Sequence, residues 1–186
     1  MVDKKIMYSV VAIVIVVAIF FFTGSSSDSS TGLGGEVVQS EPAGAWVDIE
    51  LKDVRTGESF RISDFSGTPV LLESFAVWCP TCTRQQKITR DFDEEVGDSV
   101  ISVSIDTDPN EDESRVLQHV QSNGFNWRYA ISPVDLTRSL IDQFGVGVVN
   151  APSVPMILIC EDGSVRKLSS GVKSVSKLKE EIKRGC

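Results

Sequence analysis

Val70-Leu71-Leu72-Glu73-Ser74-Phe75-Ala76-Val77-Trp78-Cys79-Pro80-Thr81-Cys82 is the stretch that decides the fold. Its first half is almost continuously apolar, the pattern of a central strand covered on both faces. Two cysteines follow at once. Behind them, Thr83 to Val96 places Ile88, Phe92 and Val96 at spacings of four before Gly97, which reads as an amphipathic helix with a glycine stop. Cys79 therefore stands at a helix N-terminus, where unpaired backbone N–H groups and the positive end of the dipole favour thiolate over thiol. Cys82 follows nearly one turn later, close enough for its sulfur to reach Cys79 while facing inward. Pro80 suits the first helical position, where its missing N–H costs nothing.

The flanks extend the pattern. Upstream, Val47 to Leu51 alternates at period two, and Thr56-Gly57 precedes Phe60-Arg61-Ile62, which together predict a leading hairpin. Downstream, Val100 to Ile105 predicts a strand, Glu111 to Ser122 a helix, Trp127 to Ile131 a short strand and Val134 to Phe144 a helix. Met156 to Cys160 then predicts a buried strand, Asp162-Gly163 a turn, Val165 to Leu168 a returning strand and Val175 to Arg184 a last helix. Strands alternating with helices and closing in a hairpin plus helix make an α/β sandwich with a mixed central sheet. No internal repeat is present.

Two other readings of the cysteine pair compete with redox chemistry. A structural disulfide over so short a loop removes little unfolded-chain entropy. Zinc would need two further ligands, and His119, Cys160 and Cys186 are dispersed, with no second Cys-x-x-Cys. A redox dithiol fits the strand, Cys-x-x-Cys, helix context best.

The chain has 186 residues, 41% hydrophobic, enough for one domain. Its formal net charge of −8 argues against nucleic acid or an anionic lipid surface as partner. Lys4 and Lys5 precede an apolar run at 6–22, about 26 Å long as a helix. This predicts a single transmembrane anchor with residues 1–5 in the cytoplasm, favoured over a cleaved signal sequence. Either reading exports the remainder. Residues 23–44, rich in Ser and Gly, predict a flexible tether leading to a folded domain at 45–186.

On the stretch Val-Leu-Leu-Glu-Ser-Phe-Ala-Val-Trp-Cys-Pro-Thr-Cys, the strand at Val100–Asp106 with a helix added after it, Phe144-Gly145-Val146, a proline before a buried strand and the Glu161-Asp162-Gly163 turn, the chain resembles the membrane-anchored thioredoxin-like proteins of the TlpA/ResA/DsbE type. The resemblance covers roughly Trp46 to Arg184. It implies a thioredoxin-like fold with an N-terminal hairpin extension and a βα insertion, and an extracytoplasmic thiol-disulfide oxidoreductase. It gives Glu73, six residues before Cys79, the role of a buried acid exchanging a proton with Cys82. It further implies a cis-proline beside the disulfide, with Pro155 preferred to Pro152, and a substrate face of Trp78, Pro80, Val154 and Pro155, Val154 pairing its backbone with an extended substrate. Implied partners are disulfides or dithiols of exported proteins and an integral membrane thiol carrier that supplies electrons; no cofactor beyond the Cys79/Cys82 disulfide is called for, and a monomeric domain is expected.

A reducing direction is expected, with a disulfide-forming oxidant as the near alternative. A Sco-like metal-delivery module is a third, but those proteins resemble Cys-x-x-x-Cys plus a distal His, and here the spacing is two. Peroxiredoxin-like chemistry lacks its Thr-x-x-Cys. Cys160, at a strand end, and Cys186, after the last helix, are expected to meet in a structural disulfide worth about 3 kcal/mol. His119 is expected in solvent on a helix surface. Asp106, Asp108, Glu111 and Asp112 are expected as turn and cap residues, and Phe125, Trp127 and Tyr129 as core or rim packing.

Overall fold

The computed structural model describes residues 41–186. The anchor at 6–22 and the tether as far as residue 40 lie outside the described residues. Among those described, no helix is long and apolar enough to cross a membrane.

Eight strands and four helices make up the described chain: β1 (Glu41–Pro42), β2 (Leu51–Lys52), β3 (Ser59–Phe60), β4 (Val70–Phe75), α1 (Pro80–Val96), β5 (Ile101–Asp106), α2 (Glu113–Asn123), β6 (Arg128–Ile131), α3 (Val134–Phe144), β7 (Met156–Ile159), β8 (Ser164–Lys167) and α4 (Val175–Arg184). The main sheet has the order β1-β8-β7-β4-β5-β6, and β2 and β3 form a separate hairpin. β4 pairs parallel with β5 and antiparallel with β7, so the sheet is mixed.

β4 is buried along its whole length because both of its faces are covered. Val70 and Leu72 pack into one core with Trp46, Leu136 and Leu140 under α3. Leu71 points the other way, into a core with Phe92 of α1 and Leu178 of α4. Alternation at period two then puts Glu73 and Phe75 on the α1/α4 face as well. Phe75 joins Val116, Val120, Phe125, Trp127 and Tyr129 in a third cluster that also holds Cys79 and Cys82.

Two local expectations differ from the structure. The leading hairpin is shorter than its alternation suggested: Ala45–Asp48 coil into a single 3-10 turn that buries Trp46, leaving two-residue strands at Leu51–Lys52 and Ser59–Phe60. Trp46 gains an indole hydrogen bond to Gln143 Oε1 at 2.6 Å by leaving the strand. The folded part also starts before the expected residue 45. Glu41 and Pro42 pair with β8, and the Ala43 N–H donates to the Gly163 carbonyl.

Candidate active site

Cys79 is the N-cap of α1 and Pro80 its first residue. The two cysteine sulfurs are joined as a disulfide. The Cys82 N–H donates to Cys79 Sγ at 3.2 Å, and the Thr81 hydroxyl lies 3.2 Å from the same sulfur. These are the donors that stabilise a thiolate at a helix start once the disulfide is reduced. The same hydroxyl lies 3.3 Å from the Pro152 carbonyl, so its single proton serves either that carbonyl or the sulfur, and it links the helix start to the turn opposite. Cys82 is fully buried, its sulfur 3.0 Å from the Ala151 carbonyl oxygen. Cys79 is only 1% exposed, while Trp78 beside it is 55% exposed. Pro80 and Pro152 are exposed as well.

Glu73 lies in mid-sheet on the strand that leads to this pair, in register with Ser104 of β5 and Met156 of β7. Ser104 Oγ donates to Glu73 Oε2 at 3.4 Å and accepts from Trp127 Nε1 at 3.0 Å, while Glu73 Oε1 has no partner. Burial pushes the Glu73 carboxyl up to about 8, against the opposing pull of Ser104, of the Lys173 ammonium and of Gln86. A carboxyl with that affinity can take and return a proton near neutral pH.

The turn facing the disulfide departs from expectation. No peptide bond among the described residues is cis, so neither Pro155 nor Pro152 is a cis-proline. The chain turns instead through Val154, a β-branched residue in the left-handed region at φ 50°. Such a conformation costs about 1–3 kcal/mol. Nor does Val154 offer its backbone to a substrate: its N–H donates to the Ala151 carbonyl at 2.9 Å and its carbonyl accepts from Lys173 Nζ at 3.2 Å. Pro155 is buried, its carbonyl taken by the Ser74 N–H. The exposed proline next to the helix start is Pro152.

His119 is 9% exposed and not in solvent. Its ring stacks on Phe75, and Nε2 shares a 2.7 Å hydrogen bond with Gln86 Oε1. The helix carrying it turns this face inward because Val116 and Val120 flank it on the buried side. Burial lowers its basicity, with Glu111 opposing.

The acidic group also does more than cap and turn. Asp112 caps α2 through the Arg115 N–H and Asp108 accepts the Asn110 N–H, as expected of such residues. Yet Glu111 is buried and accepts the Val77 N–H at 2.6 Å, and Asp108 accepts Trp78 Nε1 at 2.6 Å, so both brace the segment just ahead of Cys79. Asp106 is buried beside them, its carboxyl pushed up to about 7 by burial, against the Asp108 N–H and with the Glu111 charge adding. Among the described residues no group of three or more His, Cys, Asp or Glu is arranged to hold a metal ion.

Several residues here carry no sequence signal. Ala151, Lys173, Gln85 and Gln86 reach the site only by folding. Thr81 lies within the motif itself, where a hydroxyl two residues after Cys79 could have been noticed.

A family model described as Redoxin matches residues 42–182. The chain belongs to the Redoxin family. Thiol-disulfide oxidoreductase ResA of Halalkalibacterium halodurans is 29% identical over 129 residues, a match spanning 67% of this chain and 66% of that protein. Among solved structures, a secreted Mycobacterium tuberculosis disulfide oxidoreductase homologous to DsbE of E. coli aligns with a TM-score of 0.58 at 16% identity, covering 76% of this chain and 99% of that one. A DsbF homologue from Corynebacterium diphtheriae aligns with a TM-score of 0.63 at 17% identity, covering 86% and 96%. The Redoxin domain thus has a thioredoxin-like fold, and its Cys-x-x-Cys lies at the helix start that follows the central strand.

Elsewhere, Cys160 and Cys186 are joined by a second disulfide with sulfurs 2.10 Å apart. Arg166 and Glu181, both buried, pair at 2.6 Å beside it, and the Arg166 guanidinium also donates to the Gly185 carbonyl at 3.0 Å.

Proposed function

We propose that the chain is a membrane-anchored thiol-disulfide oxidoreductase whose Redoxin domain lies outside the cytoplasm and reduces disulfides of exported proteins. One observation carries the chemistry: the Cys79–Cys82 disulfide stands at a helix N-terminus that follows the central strand, and that strand carries the buried Glu73, whose hold on its proton burial strengthens. Anchoring rests on Lys4, Lys5 and the apolar run at 6–22.

In the reduced domain, Cys79 thiolate attacks one sulfur of a substrate disulfide, and the other substrate sulfur leaves as a thiolate. Cys82 gives its proton to Glu73 through water and attacks Cys79 Sγ. The Cys79–Cys82 disulfide forms, the second substrate thiolate leaves, and two electrons have passed to the substrate. An integral membrane thiol carrier returns the domain to the dithiol. Trp78, Pro80 and Pro152 supply the exposed rim on which a substrate docks, and the near-complete cover of Cys79 means that this rim must part during attack. A reducing direction is supported by the lack of a His between the cysteines.

The test is turnover of a disulfide-bonded peptide by the full-length chain with a dithiol as electron source. Cys79→Ser should abolish turnover; Cys82→Ser should accumulate a mixed disulfide. Retained turnover in Cys79→Ser would refute the assignment.

A further inference from the structure

Lys173, in the segment ahead of α4, is only 4% exposed, unusual burial for an ammonium. Its position is fixed from two sides. Gln85 of α1 brackets its backbone, accepting the Lys173 N–H at 2.6 Å and donating to the Lys173 carbonyl at 3.3 Å. Its ammonium donates to the carbonyls of Gly171 at 2.7 Å and Val154 at 3.2 Å, and the Gly171 N–H donates to the Ser153 carbonyl at 2.8 Å. The segment 171–173 therefore grips the turn 151–154 at two points. That turn is the one whose Ala151 carbonyl faces Cys82 Sγ and whose Pro152 carbonyl meets Thr81.

The charges around Lys173 are few. Glu73 of β4 and Glu181 of α4 both favour its charged form, against the desolvation that lowers its basicity to about 8. Glu181 is already engaged by Arg166 and Lys177. Glu73 otherwise faces Ser104, Gln86 and the Tyr129 phenol, which burial keeps neutral. Lys173 makes no direct ion pair with this carboxyl, but it is the cation whose charge favours ionised Glu73.

We propose that Lys173 is a positioning residue of the thiol-disulfide centre: its ammonium holds the Val154 carbonyl, and with it the strained turn over Cys82, while its charge faces the buried Glu73 carboxyl. The inference rests on the oxidoreductase reading. It makes one side chain responsible both for the shape of the cover over the inner sulfur and for how readily Glu73 ionises when Cys82 must lose its proton. A buried cation held this way tolerates no neutral replacement without two separable effects.

The experiment measures the rate of mixed-disulfide resolution against pH, in single turnovers of the full-length chain with a disulfide-bonded peptide. Parent, Lys173→Met, Lys173→Gln, Glu73→Gln and the Glu73→Gln/Lys173→Met pair are compared. Loss of the charge should move the rising limb of the profile to higher pH and slow resolution at pH 7 about tenfold, as expected for an opposite charge lost beside a carboxyl. With Glu73 already replaced, Lys173→Met should move no limb, because the effect runs through Glu73. A purely structural lysine would slow the reaction equally at every pH. A limb unmoved in Lys173→Met and Lys173→Gln overturns the proposal. If Lys173→Met does not fold, Lys173→Gln decides by the same limb. If the parent itself performs no disulfide exchange, the oxidoreductase reading has failed, and this inference fails with it.

Discussion

The carbonyl oxygen of Ala151 stands 3.0 Å from Cys82 Sγ, in a site where Cys82 has no exposed surface. A carbonyl dipole with its negative end on a buried sulfur favours the thiol, as donor, over the thiolate. Cys79 has the opposite surroundings, with the Cys82 N–H and the Thr81 hydroxyl directed at its sulfur. The reduced protein should therefore react with iodoacetamide at Cys79 at least about tenfold faster than at Cys82, as thiolate character controls the rate. Peptide mapping after a short pulse at pH 7 reads the ratio. Preferential labelling of Cys82 would reverse the assigned roles.

Glu73 should make stability fall as pH rises. Its carboxyl binds a proton up to about pH 8 in the folded chain, but only to its ordinary value of 4.5 when unfolded. Between those values the folded state holds the extra proton, so raising the pH removes stability by at most about 1.4 kcal/mol per pH unit from this group. Asp93, pushed up to about 6, and Asp106, pushed up to about 7, act with the same sign over narrower windows, both through burial. Lys173, lowered to about 8 by burial, adds stability only as pH rises from there towards its unfolded value of 10.5. Glu73→Gln should flatten the dependence between pH 5 and pH 8 and leave the variant more stable than the parent at pH 8. Urea midpoints at each pH check this; parallel curves would contradict it.

The C-terminal end is held by a buried ion pair and a disulfide together. Arg166→Met leaves Glu181 buried without its main partner and should cost about 3–5 kcal/mol. Opening the Cys160–Cys186 bridge, which closes a separation of 26 residues, by changing both cysteines to Ser should cost about 3 kcal/mol without abolishing exchange at Cys79/Cys82. Chemical denaturation and peptide turnover measure the two effects. Loss of exchange in the double Ser variant would give this second bridge a role in the chemistry.

His119 is the chain's one histidine, so its titration can be followed without ambiguity. Burial against Phe75 and Phe125 lowers its basicity below the ordinary 6.5. Its neutral form therefore contributes stability that is present above pH 6.5 and lost as pH falls through the folded-state value. An NMR titration should show a midpoint below 6.5, and one above it would contradict the burial argument.

Much of this was legible in the sequence because it depends on short-range pattern. The apolar run at Val70–Phe75 announced a central strand, and α3 and α4 keep the bounds that periodicity and caps gave them. Cys79 as helix cap follows from the strand-then-helix pattern, and Glu73 as a buried acid from its place in an apolar strand together with the family resemblance. The errors lie where tertiary contacts override local pattern. Val47–Leu51 alternates as a strand should, yet Trp46 is buried by coiling. His119 looked surface-bound because a helix face is inward or outward only relative to its neighbours. At Val154 the cis-proline that the resemblance implies is absent: a left-handed residue makes the bend and a lysine 19 positions away holds it. No spacing rule connects Lys173 to Val154; only the docking of α4 on the α1 side of the sheet does.

The most direct test of the central claim is the reduction potential of the Cys79/Cys82 pair, measured by thiol trapping across redox buffers, with peptide mapping to separate it from Cys160/Cys186. The account predicts a reversible two-electron titration near thioredoxin's value, roughly −270 mV, as a reductant requires. A potential near roughly −120 mV would reverse the direction of electron flow. The absence of any reversible titration at Cys79 and Cys82 would contradict the account outright.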